Sequence, residues 1–231
     1  MLNSAYKRGD YDWVYANYLT ASHGRLSAAV NQHCGETSPE LAVDLCAGTG
    51  AMTQVLVGAR VPLVIAVDQS SAMLDQLQAK IQPYEAVFSD VKTWVVDLNK
   101  PGEITSVLQA LPRHHEGADL VTCRQGVGYL KSWVLRQLPS LLAPGGALLF
   151  NTFVEPPTGP WRHRRAGGIY EAGFYWGGTV YHMQTRWPRI DLTSFHWHDI
   201  EEDFAQSWEA SGYKVNIARH NRTLIVKVVR P

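Results

Sequence analysis

Asp44, Asp68 and Asp97 each stand at or near the end of a short apolar run, in LAVDLC, LVIAVD and TWVVDL. A carboxylate so placed accepts hydrogen bonds from sugar hydroxyls or faces a cationic group. The first run leads into Ala47-Gly48-Thr49-Gly50, where glycine lets the backbone turn sharply and approach a ligand closely. A glycine turn, an acid after the next run and a third acid beyond it together point to a nucleoside ligand. A dinucleotide site wants G-x-G-x-x-G, with pyrophosphate on the helix N-terminus. Aligned on Gly48, the outer glycines of that pattern fall on Cys46 and Ala51, and aligned on Gly48 and Gly50 the third falls on Thr53. The charge of Asp44 also suits an ammonium better than a pyrophosphate.

These residues need a scaffold that brings them to one edge, and the chain supplies one. LAVDLC, LVIAVD, TWVVDL, DLVTC and GALLFNTF read as strands, the last introduced by the turn APGG. Helical patterns follow the first four: AMTQVLVG, SSAMLDQLQAKI, about Pro101 to Leu111, and YLKSWVLRQLPSLL. Near-continuous apolar strands alternating with helices form a parallel sheet covered on both faces. Ligands then bind outside the carboxyl ends of the strands, where Cys123, Arg124, Gln125 and Asn151 join the three acids. EEDFAQSWEASG reads as a helix, and YKVNIARH and TLIVKVVR as two closing strands joined at Asn221.

Composition narrows the function classes. With 21 basic and 21 acidic residues among 231, no overall field favours nucleic acid or an anionic membrane. The three cysteines form no CxxC pair, so neither a zinc site nor a disulfide framework is expected. No apolar run approaches a membrane span and the N-terminus lacks a signal-peptide core, so the chain reads as soluble and cytoplasmic, one domain over residues 1–231.

VDLCAGTGAM, VIAVDQSSAML, VVDL and LAPGGALLFNTF, in this order and spacing, resemble the class I S-adenosylmethionine-dependent methyltransferases. The likeness covers residues 40–155, and the closing strands more loosely. It implies an α/β Rossmann-like fold with a mostly parallel seven-stranded sheet, and S-adenosylmethionine as cofactor. It further implies that Ala47 and Gly48 pack against the cofactor, Asp68 holds the ribose, Gln69 and Met73 flank sugar and adenine, and Asp97 meets the adenine amine. Asp44, Cys46, Leu98, Cys123 and Gln125 complete the cofactor wall, with Cys46 standing where the family usually has glycine. Residues 1–38 would form an N-terminal helical cap whose aromatics, Tyr11, Tyr15 and Tyr18, close over the methionine end or simply pack in the core.

Segment 155–198 interrupts this frame after the fifth strand, where the family commonly places substrate-recognition elements. GIYEAGFYW and TVYHMQTRW read as an aromatic β-hairpin turning at Gly177-Gly178. Unable to stand alone in water, the hairpin should lean on the main sheet as a lid over the pocket, its rings facing the sulfonium. PWRHRR reads as a solvated loop, and His182, His196 and His198 are candidate bases.

Two reactions suit such a pocket. One is methyl transfer to a small-molecule acceptor. The other takes S-adenosylmethionine as its own substrate, its α-amine attacking the γ-carbon to close azetidine-2-carboxylate and release methylthioadenosine. Asn151, FYWGGTVYH and the chain length resemble the bacterial azetidine-2-carboxylate synthases. That likeness implies Asn151 as partner of the methionyl amine or carboxylate, with Tyr175 and Trp176 around the sulfonium. Both rings serve only if the strand bends between Gly173 and Gly177.

Overall fold

The computed structural model describes residues 20–112, 116–154, 161–164, 169–176, 179–186, 189–221 and 223–231; for 20–23, 84–88 and the strand residues from 161 to 195 it describes the backbone alone. Helix α1 (Thr20–Thr37) precedes β1 (Leu41–Leu45), α2 (Ala51–Gly58), β2 (Leu63–Asp68), α3 (Ser71–Phe88) and β3 (Asp90–Val95). Then come α4 (Glu103–Ala110), β4 (Ala118–Arg124), α5 (Ser132–Gln137) and β5 (Leu142–Phe153). The C-terminal part holds a π-helical turn (Glu201–Ala205) running into α6 (Gln206–Ala210), then the last two strands, β10 (Lys214–His220) and β11 (Thr223–Val229).

The main sheet has seven strands in the order β10-β11-β5-β4-β1-β2-β3. β1 to β5 pair in parallel, while β11 runs antiparallel to β5 and to β10. This is the expected α/β Rossmann-like frame, a mostly parallel seven-stranded sheet. The alternation of β1 splits the core in two: Leu41, Val43 and Leu45 pack toward α4 and the segment 127–142, while Ala42 packs toward α1, α2 and α3. The chain leaves β1 toward β2 on one side and later returns as β4 on the other. The crevice between the carboxyl ends of β1 and β4 is therefore the switch point at which such sheets bind ligands.

Several boundaries differ from the sequence expectation. β3 ends at Val95, so Asp97 lies on the loop beyond the strand. The APGG segment belongs to β5, whose register against β4 shifts between Ala118 and Leu120 to absorb it. The single helix expected after β4 is broken into a 3-10 turn (Val127–Tyr129), α5 and a second 3-10 turn (Leu138–Leu141) that has Pro139 in its first turn. α1 runs to Thr37, within the helical cap expected over residues 1–38, and residues 1–19, with Tyr11, Tyr15 and Tyr18, lie outside the described residues.

The insertion departs most. β7 (Ile169–Trp176) and β8 (Thr179–Arg186) pair antiparallel, flanked by β6 (Trp161–Arg164) and β9 (Arg189–His196) in a separate four-stranded sheet, β6-β7-β8-β9. The aromatic pair thus gains a strand neighbour on each edge from the insertion itself. PWRHRR contributes an edge strand rather than a solvated loop: Trp161 stands opposite Gly173 and Arg164 opposite Tyr170. Over the described part of the expected bend, Gly173–Trp176, the strand keeps its register. Pairing continues without a shift through Tyr175↔Val180 and Trp176↔Thr179, so positions 175 and 176 fall on opposite faces.

Candidate active site

The loop after β1 is built on left-handed backbone. Cys46 leaves the strand at φ 52, Gly48 follows at φ 55 and Gly50 caps α2 at φ 85. Ala47 N–H donates to Val67 O at 3.0 Å and Gly50 N–H to Ala47 O at 2.9 Å, closing the turn against β2. A Cβ on Gly50 would stand 2.5 Å from Leu77 Cγ, so the packing of α3 requires glycine there. Among the described residues, a Cβ on Gly48 would meet only Cys46 O, at 4.0 Å, so this side of the loop is open toward them. Cys46, Ala47 and Gly48 are half-buried between the fully buried β1 and the buried Thr49.

The three acids take different positions. Asp44 is 1% exposed, and its carboxylate accepts hydrogen bonds from Thr53 Oγ1 at 2.7 Å and Thr122 Oγ1 at 2.9 Å. Burial pushes its pKa up to about 6, with the two hydroxyls offsetting part of that rise. This places Asp44 beneath the loop, between α2 and β4, rather than on the open wall where an ammonium would meet it. Asp68 is half-buried and ties the two turns together, Oδ2 accepting from Gly48 N at 2.9 Å and Oδ1 from Ser70 N at 2.9 Å. Burial raises its pKa, and the backbone N–H groups of Ser70, Gly48 and Gln69 oppose the rise. Asp97 Oδ1 accepts from Asn99 N at 3.1 Å. Asn99 in turn donates to Tyr129 O at 2.8 Å and accepts from Lys131 N at 2.8 Å, stapling the loop after β3 to the loop after β4.

Across the crevice, β4 ends in a second non-glycine turn, with Gln125 at φ 52. Gln125 N–H donates to Asn151 Oδ1 at 2.9 Å, and Asn151 is 0% exposed. Asn151 thus sits at the expected strand end, but it holds the Gln125 turn and presents no surface to a ligand. Cys123 is fully buried, and Gly126 fills the gap between the two cysteines: a Cβ there would lie 2.4 Å from Cys46 Cβ and 2.8 Å from each sulfur. Beyond the turn, His198 Nε2 bonds Leu130 O at 2.9 Å, and its ring lies 6.1 Å from that of exposed His196. Burial lowers the pKa of His198, which favours the neutral ring. Donating to a carbonyl fixes the proton on Nε2, so His198 serves first as a structural tie; His182 lies in β8, whose side chains are not described.

The structure therefore gathers Cys46, Ala47, Gly48, Asp68, Gln69, Asp97 and Gln125 on partly exposed backbone around one crevice. Asp44, Met73, Leu98, Cys123 and Asn151 lie buried behind it. Half-buried acceptors over an open glycine turn, with apolar Met73 and Leu98 behind, fit a ribose and a flat base. Tyr175 and Trp176 are placed by backbone register alone. Sequence reasoning missed Thr53 and Thr122, whose hydroxyls meet Asp44 only through tertiary contact, and the Asn99 staple. It also missed Ser70, the N-cap of α3, whose place directly before the helical run was the signal available. Among the described residues no group of three or more His, Cys, Asp or Glu could hold a metal ion, and no helix is long and apolar enough to cross a membrane.

A sequence model of the family described as "Methyltransferase domain" matches residues 18–216. Over 115 residues, 48% of the chain, the sequence is 35% identical to a trans-aconitate 2-methyltransferase of Methylobacterium radiotolerans, and the match spans 37% of that relative's length. Among solved structures, an S-adenosylmethionine-dependent methyltransferase from Clostridium acetobutylicum superposes with a TM-score of 0.73 at 15% identity, covering 96% of this chain and 98% of the other. An amino pentose methyltransferase from Micromonospora echinaspora, solved with S-adenosylmethionine bound, superposes with a TM-score of 0.59 at 18% identity over 93% and 96% of the two chains.

Proposed function

Because the chain belongs to the methyltransferase-domain family, we propose that it binds S-adenosylmethionine across the ends of β1 and β4 and transfers the methyl group to a small-molecule nitrogen or oxygen acceptor. The observation that carries this is Asp68, a half-buried carboxylate bonded to Gly48 N and Ser70 N at the edge of the switch-point crevice. Three backbone N–H groups, from Ser70, Gly48 and Gln69, meet its roughly four lone pairs, leaving one to accept from a ribose hydroxyl. Gly48 admits the methionyl chain on its open side, Gln69 lies beside the sugar, and Asp97, with Leu98 behind it, meets the base. Asp44 acts through the loop by anchoring α2 to β4. The bound sulfonium supplies an activated methyl group, and the chain's own work is to orient it and exclude water. Acceptors named for the relatives, an amino pentose and trans-aconitate, are small molecules, which supports that acceptor class here.

A second reading, intramolecular cyclisation to azetidine-2-carboxylate, has one observation in its favour. Trp176, Thr179 and His196 lie in one register row across β7, β8 and β9. The His196 ring approaches His198, which is bonded to Leu130 beside the pocket loop. On this reading the row holding Trp176 would form the end of the second sheet toward the crevice, where a sulfonium would need shielding. In that reaction the amine lone pair forms the C–N bond, the C–S bond breaks, methylthioadenosine leaves and the amine releases one proton. Trp176→Ala should then slow the closure, because a reacting geometry displaced by about 1 Å costs on the order of a hundredfold. Tyr175→Ala, on the other face, should not.

One experiment tests both readings. The purified chain is incubated with S-adenosylmethionine, alone and with a panel of amino sugars and polycarboxylates, and the products are identified by mass spectrometry. S-adenosylhomocysteine together with a methylated acceptor establishes methyl transfer. Methylthioadenosine and azetidine-2-carboxylate without any acceptor establish cyclisation and overturn the first reading.

A further inference from the structure

At the switch point the two strand ends carry two thiols. Leu45 of β1 stands in register with Cys123 of β4, so Cys46 follows one step beyond. Both sulfurs lie 2.8 Å from the same point, the place a Cβ on Gly126 would occupy. The two sulfurs thus flank one gap, and Cys46 Sγ also approaches Gly126 O at 3.9 Å. Cys46 holds a left-handed φ of 52, which favours glycine, yet it keeps a side chain that is turned into this gap. Backbone strain of that kind is common at functional sites, where the surrounding structure holds it. The two differ in access, since Cys46 is half-buried on the crevice floor and Cys123 is 0% exposed.

We propose that Cys46 and Cys123 are a reversible oxidation site, and that disulfide closure between them lowers the affinity of the crevice for S-adenosylmethionine. The proposal goes beyond the methyl-transfer and cyclisation readings and holds under either; only its effect on affinity rests on the cofactor lying over Gly48. The oxidant is a hydroperoxide. Cys46 Sγ, as thiolate, attacks the outer peroxide oxygen; the O–O bond breaks, the leaving oxygen takes up the thiol proton, and Cys46 becomes a sulfenic acid. Cys123 Sγ then attacks the Cys46 sulfur, the S–S bond forms, the S–O bond breaks, and hydroxide leaves with the Cys123 proton as water. The two sulfurs give up two electrons to the peroxide.

Drawing the sulfurs to a bonded distance of about 2 Å pulls Cys46 toward β4. Ala47 and Gly48 follow directly in the chain, so the open face of the loop and the Gly48–Asp68 bond shift with it. The Cys123 side chain, burial and the nearby charges of Asp68 and Asp44 hold the Cys46 thiol well above the ordinary thiol range. The oxidation is therefore slow at neutral pH and needs sustained peroxide.

The test uses the full chain in a Cys34→Ala background, which leaves only these two thiols. Hydrogen peroxide should remove two hydrogens in mass and yield one bridged peptide pair, Cys46–Cys123. Calorimetric affinity for S-adenosylmethionine should fall at least about tenfold and return on treatment with dithiothreitol. Bound S-adenosylmethionine should retard the bridging. A Cys123→Ser variant, compared with itself before oxidation, should show no dithiothreitol-reversible change. Over-oxidation of Cys46 with Cys123 left as thiol overturns the proposal, and so does a bridge that leaves the affinity unchanged.

Discussion

Asp44 keeps its carboxyl between two threonine hydroxyls with almost no access to water, and burial lifts its pKa from 3.8 to about 6. Between about pH 4 and pH 6 the folded chain holds this proton more tightly than the unfolded chain does. Stability therefore falls as pH rises through that window, and the full loss, about 3 kcal/mol from Asp44, is present above it. Asp68, raised in the same direction, adds to the slope. Asp44→Asn removes the charge and keeps an acceptor and a donor for the threonines. Urea unfolding from pH 4 to pH 8 should show the variant gaining on the wild type as pH rises, and parallel curves would refute the assignment. Asp68→Ala should act on binding. Loss of hydrogen bonds to a charged group, about 1.5–3 kcal/mol, should weaken S-adenosylmethionine affinity by roughly ten- to a hundredfold. Unchanged affinity by calorimetry would remove Asp68 from the site.

At the scale of elements, the β1–α2 loop and the β4–α5 loop are fitted to each other through Gly126. Gly126→Ala would place a methyl 2.4 Å from Cys46 Cβ and 2.8 Å from both sulfurs, so the two loops must separate. Overpacking of this order costs about 1–3 kcal/mol. Cys46→Gly clears the space and also relieves the left-handed strain at φ 52, so the double variant should recover most of the loss in denaturant unfolding. Additive losses would show that the loops are not coupled there. The apolar runs of β1, β2, β4 and β5, flanked by glycine turns and helical spacing, made the parallel sheet and its ligand-bearing ends legible in the sequence. β3 was misplaced because it is an edge strand whose Val95 is 61% exposed, so its apolar letters do not report burial. The strands Trp161–Arg164 and Arg189–His196 were hidden for a related reason. Charged residues interrupt both, and their partners β7 and β8 supply the pairing that their own composition does not announce. Asn151 was found at the expected strand end, while its bond from the Gln125 N–H was not legible, since which side chain meets a turn N–H is decided by tertiary contact.

For the whole molecule, the question is how the second sheet senses what the crevice holds. The insertion leaves the main sheet after β5, and β9 returns beside the 3-10 turn Val127–Tyr129 that follows the Gln125 turn. His198 then bonds Leu130 O, and its ring meets Phe204 edge-on at 5.6 Å. The β4–α5 loop is thus held on one side by Asn151 and Asn99 and on the other by His198. A ligand that orders this loop should steady β9 through it, and through β9 the rows it pairs with in β8 and β7. Amide hydrogen exchange in β7 to β9 should slow when S-adenosylmethionine binds, while β1, β2 and β4, buried in the main core, change little. His198→Ala cuts the tie without touching the crevice acids, so in that variant the slowing in β7 to β9 should shrink while protection of the loop after β1 persists. Equal exchange with and without ligand in the wild type would make the second sheet a static wall. Slowing that survives in His198→Ala would mean that the coupling runs through contacts other than this hydrogen bond.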